Sequence, residues 1–256
     1  MKNAAGWFIA NCILLCGIVF FISSCSTYRT YTSLDKALDN PLAVERLKIS
    51  NKNLGSLPAE IGRLKNLKQL VLFRVHLDSL PAEIGLLKEL EYLAVTSSRL
   101  QKVPPEIGQL KKLRRLSFEY NQLKRIPDEI GNLEYLNELK LTNNFIESLP
   151  SSIGKLSNLE FLYLNENQLT LLPGEIGDLI NLRFLYVGKN SLEDLPSSIG
   201  NLTVLNELDL SRCGPLVRIP ESLCNVHSLE ILYIDNSLLI PGCLQGRMGH
   251  FQIVVR

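Results

Sequence analysis

The sequence predicts an α/β solenoid, in which short strands and short helical returns alternate and successive coils stack on one another. Three observations predict it. An aliphatic residue followed by proline recurs at a step of 23, at Leu57-Pro58, Leu80-Pro81, Val103-Pro104, Ile126-Pro127, Leu149-Pro150, Leu172-Pro173 and Leu195-Pro196, with looser copies at Ile219-Pro220 and Ile240-Pro241, so nine of the 12 prolines share one slot. A glycine follows each of the first seven prolines at a fixed offset, at Gly62, Gly85, Gly108, Gly131, Gly154, Gly177 and Gly200. Between these landmarks apolar residues fall two apart and then three apart, the spacings of a half-buried strand and of one helical turn. Such a period marks units that bury their apolar faces only by stacking.

The chain has 256 residues, enough for one domain, with 46% hydrophobic and 21% charged residues. Its formal net charge of +1 supplies no global field for a nucleic acid, so none is expected as a partner. Cys12, Cys16 and Cys25 lie near the N-terminus and Cys213, Cys224 and Cys243 near the other end. No pair has metal-ligand spacing.

In chain order, residues 1–24 read as a secretory signal: Lys2 is the positive start, and an uncharged, mostly apolar run extends from Ala4 to Ile22. Ile22-Ser23-Ser24-Cys25 resembles a bacterial lipobox. That resemblance implies a diacylglycerol on the Cys25 thiol, cleavage before it, acylation of the new N-terminus, and a lipid anchor in the cell envelope. Ser26 in place of aspartate favours the outer membrane by analogy with lipoprotein sorting. The alternative is an uncleaved anchor, since a spanning helix needs about 20 apolar residues. Residues 25–31 are then the lipidated cysteine and a tether, and residues 32–43 a cap. Within the cap, 32–40 read as a short helix with Thr32 as N-cap, Asp35 in its first turn and Pro41 closing it.

The repeats occupy 44–241. In one of them, Leu162 and Leu164 share the inward face of a strand, and Phe161, Tyr163 and Asn165 share the other. Asn167 follows, where a buried amide can bond the turning backbone. Pro173 starts the return, Ile176 and Leu179 suit one helical or 3-10 turn, and Gly177 suits a sharp backbone turn. The pattern LxxLxLxxNxLxxLPxxIGxLxN resembles the leucine-rich repeat, and the whole chain a bacterial leucine-rich-repeat lipoprotein. The resemblance implies a horseshoe with a parallel sheet on its concave side and short convex segments. Asn121, Asn144, Asn167 and Asn190 fill the asparagine slot, whereas Lys52, Val75, Ser98, Cys213 and Ser237 depart from it. Asn51 or Asn53 is placed to substitute for Lys52, and looser geometry is expected at both ends.

Residues 242–256 read as a C-terminal cap whose Phe251–Val255 run adds a last strand. Cys213 suits a buried slot. Cys224 replaces a slot glycine, and with Cys243 it is either bridged across coils or free. His76, His227 and His250 are scattered, and no catalytic motif or metal cluster is present. An enzyme, a cofactor and a metal are therefore not expected.

Outward strand positions define the candidate site. Phe161, Tyr163, Phe184 and Tyr186 fall on two neighbouring strands about 4.8 Å apart and form an aromatic block. Tyr92, Arg115, Tyr120, Lys140, Glu207, Asp209 and Tyr233 lie along the same face. Aromatic anchors ringed by charge are the composition of an interface hot spot. The expected function is capture of a protein partner on the concave face by a monomeric, membrane-anchored recognition protein. The alternative is an envelope scaffold with no specific concave ligand.

Overall fold

The computed structural model describes residues 29–214, 217–236, 238–246 and 251–256. The signal segment, Cys25, Ser237 and His250 lie outside the described residues.

One parallel sheet of eleven strands runs through the molecule in strict sequence order. Its strands are β1 (Thr30–Tyr31), β2 (Arg46–Ser50), β3 (Gln69–Phe73), β4 (Tyr92–Thr96), β5 (Arg115–Ser117), β6 (Glu138–Lys140), β7 (Phe161–Tyr163), β8 (Phe184–Tyr186), β9 (Glu207–Asp209), β10 (Ile231–Ile234) and β11 (Gln252–Val255). The leucines alternate inward, as in β7, where Leu162 is fully buried between half-buried Phe161 and Tyr163. One continuous apolar core extends from Ala37 in the first coil to Phe251 in the last.

Every return between β2 and β10 is a 3-10 turn of five residues, such as Asp128–Asn132. The slot proline precedes it. Pro127 accepts from the Ile130 N–H at 3.1 Å, and Ile130 accepts from the Leu133 N–H at 3.1 Å. The ring therefore stands where its carbonyl is used and its missing donor is not needed.

The glycine after it has a different reason from the sharp turn expected. None of the seven slot glycines has a positive φ. Each abuts the next return: a Cβ on Gly85 would lie 2.7 Å from the Glu106 carbonyl oxygen, and one on Gly154 2.7 Å from that of Glu175. Close stacking of the convex turns, not backbone curvature, demands glycine. Cys224 occupies this slot in the last full coil and is joined to Cys243 in the next segment by a disulfide, with Cα atoms 6.0 Å apart. Where the last stacked turn ends, a covalent link replaces the close approach.

The asparagine ladder is continuous in the middle. Asn144 Oδ1 accepts from the Leu123 N–H of the preceding coil at 3.0 Å, and Nδ2 donates to Phe118 O at 2.8 Å and Leu141 O at 3.0 Å. Asn121, Asn167 and Asn190 repeat this pattern. Cys213 keeps one rung, its thiol donating to Val187 O at 3.0 Å, and burial pushes that thiol up to a pKa of about 12. Ser98 accepts from the Val75 N–H. Neither Asn51 nor Asn53 makes a side-chain rung in place of Lys52; the Leu54 N–H goes instead to the backbone of Val75. Coils without asparagine are not simply looser. β5 to β9 have three residues, the coil of Cys213 included, whereas β2, β3 and β4, whose coils lack the asparagine, have five. Three additional left-handed residues, Gly55, His76 and Arg99, follow in those coils.

The caps differ in detail from expectation. Thr30–Tyr31, assigned to a tether, pairs with Arg46 and Leu47 as the edge strand. The capping helix α1 (Leu34–Leu38) has Ser33, not Thr32, as its N-cap, with no side-chain hydrogen bond. At the far end β11 pairs with β10 from Gln252 to Val255, after the short helix α2 (Gly242–Gln245).

A backbone feature without any signature in residue type recurs through the stack. Asn51, Arg74, Ser97, Tyr120, Asn143, Glu166, Lys189 and Arg212, spaced by 23, all have φ between 53° and 58°. Each immediately precedes the asparagine slot. None is glycine, so the surrounding coil imposes the left-handed state.

Candidate functional site

The parallel register aligns the concave side chains into rows. One row runs Tyr92, Arg115, Glu138, Phe161, Phe184, Glu207 and Ile231, and its neighbour runs Ala94, Ser117, Lys140, Tyr163, Tyr186, Asp209 and Tyr233. The candidate residues thus share one face. Tyr120 is the exception in position: it sits past the end of β5, in the left-handed column, and is exposed.

The aromatic block forms as two stacked pairs. Phe161 and Phe184 have centroids 4.8 Å apart and planes within 3°, and Tyr163 and Tyr186 are 5.1 Å apart at 12°. Phe184 and Tyr186 lie 6.5 Å apart along β8. All four rings are half-buried. Cations cover one ring of the block and one along the same face: Lys140 lies 5.1 Å from the Tyr163 centroid and Arg115 4.8 Å from that of Tyr92.

Hydrogen bonds fix the polar tips. Tyr186 donates its hydroxyl to Glu207 at 2.7 Å. Burial, then that bond and charge, raise the Tyr186 pKa above the ordinary tyrosine value. Burial also raises that of Tyr163, against the pull of Lys140. Burial opposes the charge on Lys140, but the hydrogen bond and charge of Glu138 outweigh it and the pKa is raised; the ion pair spans 2.9 Å. At neutral pH the face therefore presents neutral phenols and a charged ammonium. Glu166 links Asn143 at 2.7 Å and Lys189 at 2.5 Å, and these bonds hold its carboxyl below the usual range.

Asp209 does not belong to the exposed rim in which the sequence placed it. It is 3% exposed, folded against Ser211 and Asn165. Sequence reasoning also missed Arg256, whose guanidinium carbon lies 3.9 Å from the Tyr233 ring centroid. Only the parallel pairing of β11 with β10 brings that residue to the face. Among the described residues no cluster of His, Cys, Asp and Glu is arranged to hold a metal, and no helix is long and apolar enough to cross a membrane.

Comparison with known proteins places this geometry. The family described as leucine-rich repeat region matches residues 19–119 and 105–178, and the leucine-rich repeat itself matches residues 181–202. No curated protein matches. Among solved structures, a leucine-rich-repeat protein of Leptospira interrogans is 30% identical with a TM-score of 0.61, over 88% of this chain and 69% of that one. PEPR1–AtPEP1 is 30% identical with a TM-score of 0.71, over 88% of this chain but 33% of the other. The ectodomain of the plant membrane receptor kinase GASSHO1/SCHENGEN3 from Arabidopsis thaliana is 25% identical with a TM-score of 0.60, over 88% and 34%. This chain thus spans about a third of each of the latter two. With its repeats matched over more than half its length and its coils stacked in one parallel sheet, the chain belongs to the leucine-rich repeat family.

Proposed function

We propose that this chain is a recognition protein displayed outside a membrane, anchored by lipid on Cys25, which captures a protein partner on its concave face. The observation that carries the reading is the block of four half-buried rings, stacked in pairs on two adjacent strands of a solvent-facing sheet side. Because the rings are already half-buried against one another, they present their remaining exposed faces and edges together as one apolar surface to a partner. Mutual stacking holds all four in place, with Tyr186 further fixed by its bond to Glu207 and Tyr163 by Lys140, which lowers the cost of ordering on association. The solved relatives support a binding use: the GASSHO1/SCHENGEN3 ectodomain is in complex with CASPARIAN STRIP INTEGRITY FACTOR 2.

Affinity capture by the full chain in detergent tests this. Tyr163→Ala with Tyr186→Ala is expected to lower partner capture at least about tenfold while leaving the melting temperature within about 5 °C. A parallel collapse of folding sinks the reading. Capture that tolerates both substitutions favours the scaffold, in which the rings serve only to pack across strands.

The lipid is tested separately. Cys25→Ser is expected to abolish incorporation of labelled fatty acid and to leave the chain unprocessed, because anchoring of this kind comes from acyl chains on that thiol. No fatty-acid label in the unsubstituted protein, with its apolar N-terminal run retained, favours the uncleaved anchor.

A further inference from the structure

Asp209 is the only charged side chain that is buried among the described residues. Its surroundings make room for it. A Cβ on Gly188, the neighbour in the adjoining coil, would lie 3.1 Å from both carboxylate oxygens. Through that gap the carboxylate reaches a coil further, where Asn165 Nδ2 donates to Oδ2 at 3.1 Å. Oδ1 accepts from the Ser211 N–H at 2.9 Å and from its hydroxyl at 2.5 Å. Oδ2 retains acceptor capacity toward the sheet surface. There the Arg256 guanidinium stands, 3.9 Å from Oδ2, with its carbon 3.9 Å from the Tyr233 centroid.

A carboxylate with an aromatic face beside it is the environment a guanidinium or ammonium seeks. The Arg256 side chain is 51% exposed although its target is 4% exposed. At 3.9 Å the contact is an ion pair without a hydrogen bond. The Arg256 backbone is held independently, its N–H donating to Ile234 O at 3.0 Å, so its side chain can leave without unpairing β11.

We propose that this notch, formed by Gly188, Asp209 and Tyr233, receives an arginine or lysine side chain of the partner, and that Arg256 occupies it in the free protein. The proposal rests on the concave face being the binding surface. It assigns the partner a basic residue set beside the apolar group that covers the four rings. It also makes Arg256 a competitor, displaced when the partner's cation arrives.

The probe is an immobilised hexa-arginine peptide, with hexaglutamate as control, titrated with the full chain in detergent. Arg256→Ala is expected to bind hexa-arginine about fivefold more tightly than the unsubstituted protein, with no gain on hexaglutamate. Adding Asp209→Asn or Tyr233→Leu to Arg256→Ala should remove the gain. Tyr233→Leu keeps an apolar side chain in place and decides the matter should Asp209→Asn lower the melting temperature. Binding unchanged or weakened by Arg256→Ala overturns the proposal, as does a gain that survives Tyr233→Leu. If partner capture depends on Tyr163 and Tyr186 while hexa-arginine ignores Arg256, the cation assignment alone falls. If capture ignores the two tyrosines, the face reading falls.

Discussion

Gly108→Ala is expected to destabilise the protein by about 3 kcal/mol, although it adds a single methyl group at a backbone conformation alanine readily adopts. A Cβ there would stand 2.5 Å from the Glu129 carbonyl oxygen and 2.8 Å from the Glu129 Cβ. The obstacle is backbone of the next coil, so no side chain can swing aside. Moving that coil outward would open the contacts on its other side as well, since each return packs on the next. A thermal melt should show a fall of about 10 °C. Gly174→Ala is the control: a Cβ there meets nothing within 4 Å, and the change should be neutral or slightly stabilising. Equal effects at the two positions would refute the stacking account.

Asn144→Ala is expected to cost about 2–3 kcal/mol, more than a typical polar-to-alanine change. Asn144 is 5% exposed. Removing its amide orphans the Leu123 N–H in the interior, while Phe118 O and Leu141 O each lose one of two amide donors and keep Asn121 and Asn167 respectively. An unpaired buried backbone group costs roughly 1–3 kcal/mol. Asn144→Ser should lose less, because Ser98 and Cys213 show that a short polar side chain keeps part of the ladder. Urea titration should report a lower midpoint with an unchanged slope. A loss below about 1 kcal/mol for the alanine variant would mean that the ladder decorates the coil and does not hold it.

The strands, the core leucines and the rows of concave residues were legible because a period of 23 writes the same alternation in every coil, and the parallel order followed from the resemblance to the leucine-rich repeat. What was not legible depends on distances between coils. The slot glycine looks the same in sequence whether a chain turns there or a neighbour presses on it. Asp209 reads as a surface carboxylate until Gly188 in the previous coil is seen to leave it space. Thr30–Tyr31 is two residues long, too short to show an alternation. The left-handed column carries Asn, Arg, Ser, Tyr, Asn, Glu, Lys and Arg, side chains with no shared chemistry, because the coil dictates that backbone state.

That column has an energetic consequence for recognition. A residue held at a φ near +55° has surrendered its torsional freedom before any encounter. Folding has already borne the entropy loss that association would otherwise exact. Lys189, Glu166 and Tyr120 therefore project from fixed pivots along the border of the aromatic rows, as preset contacts.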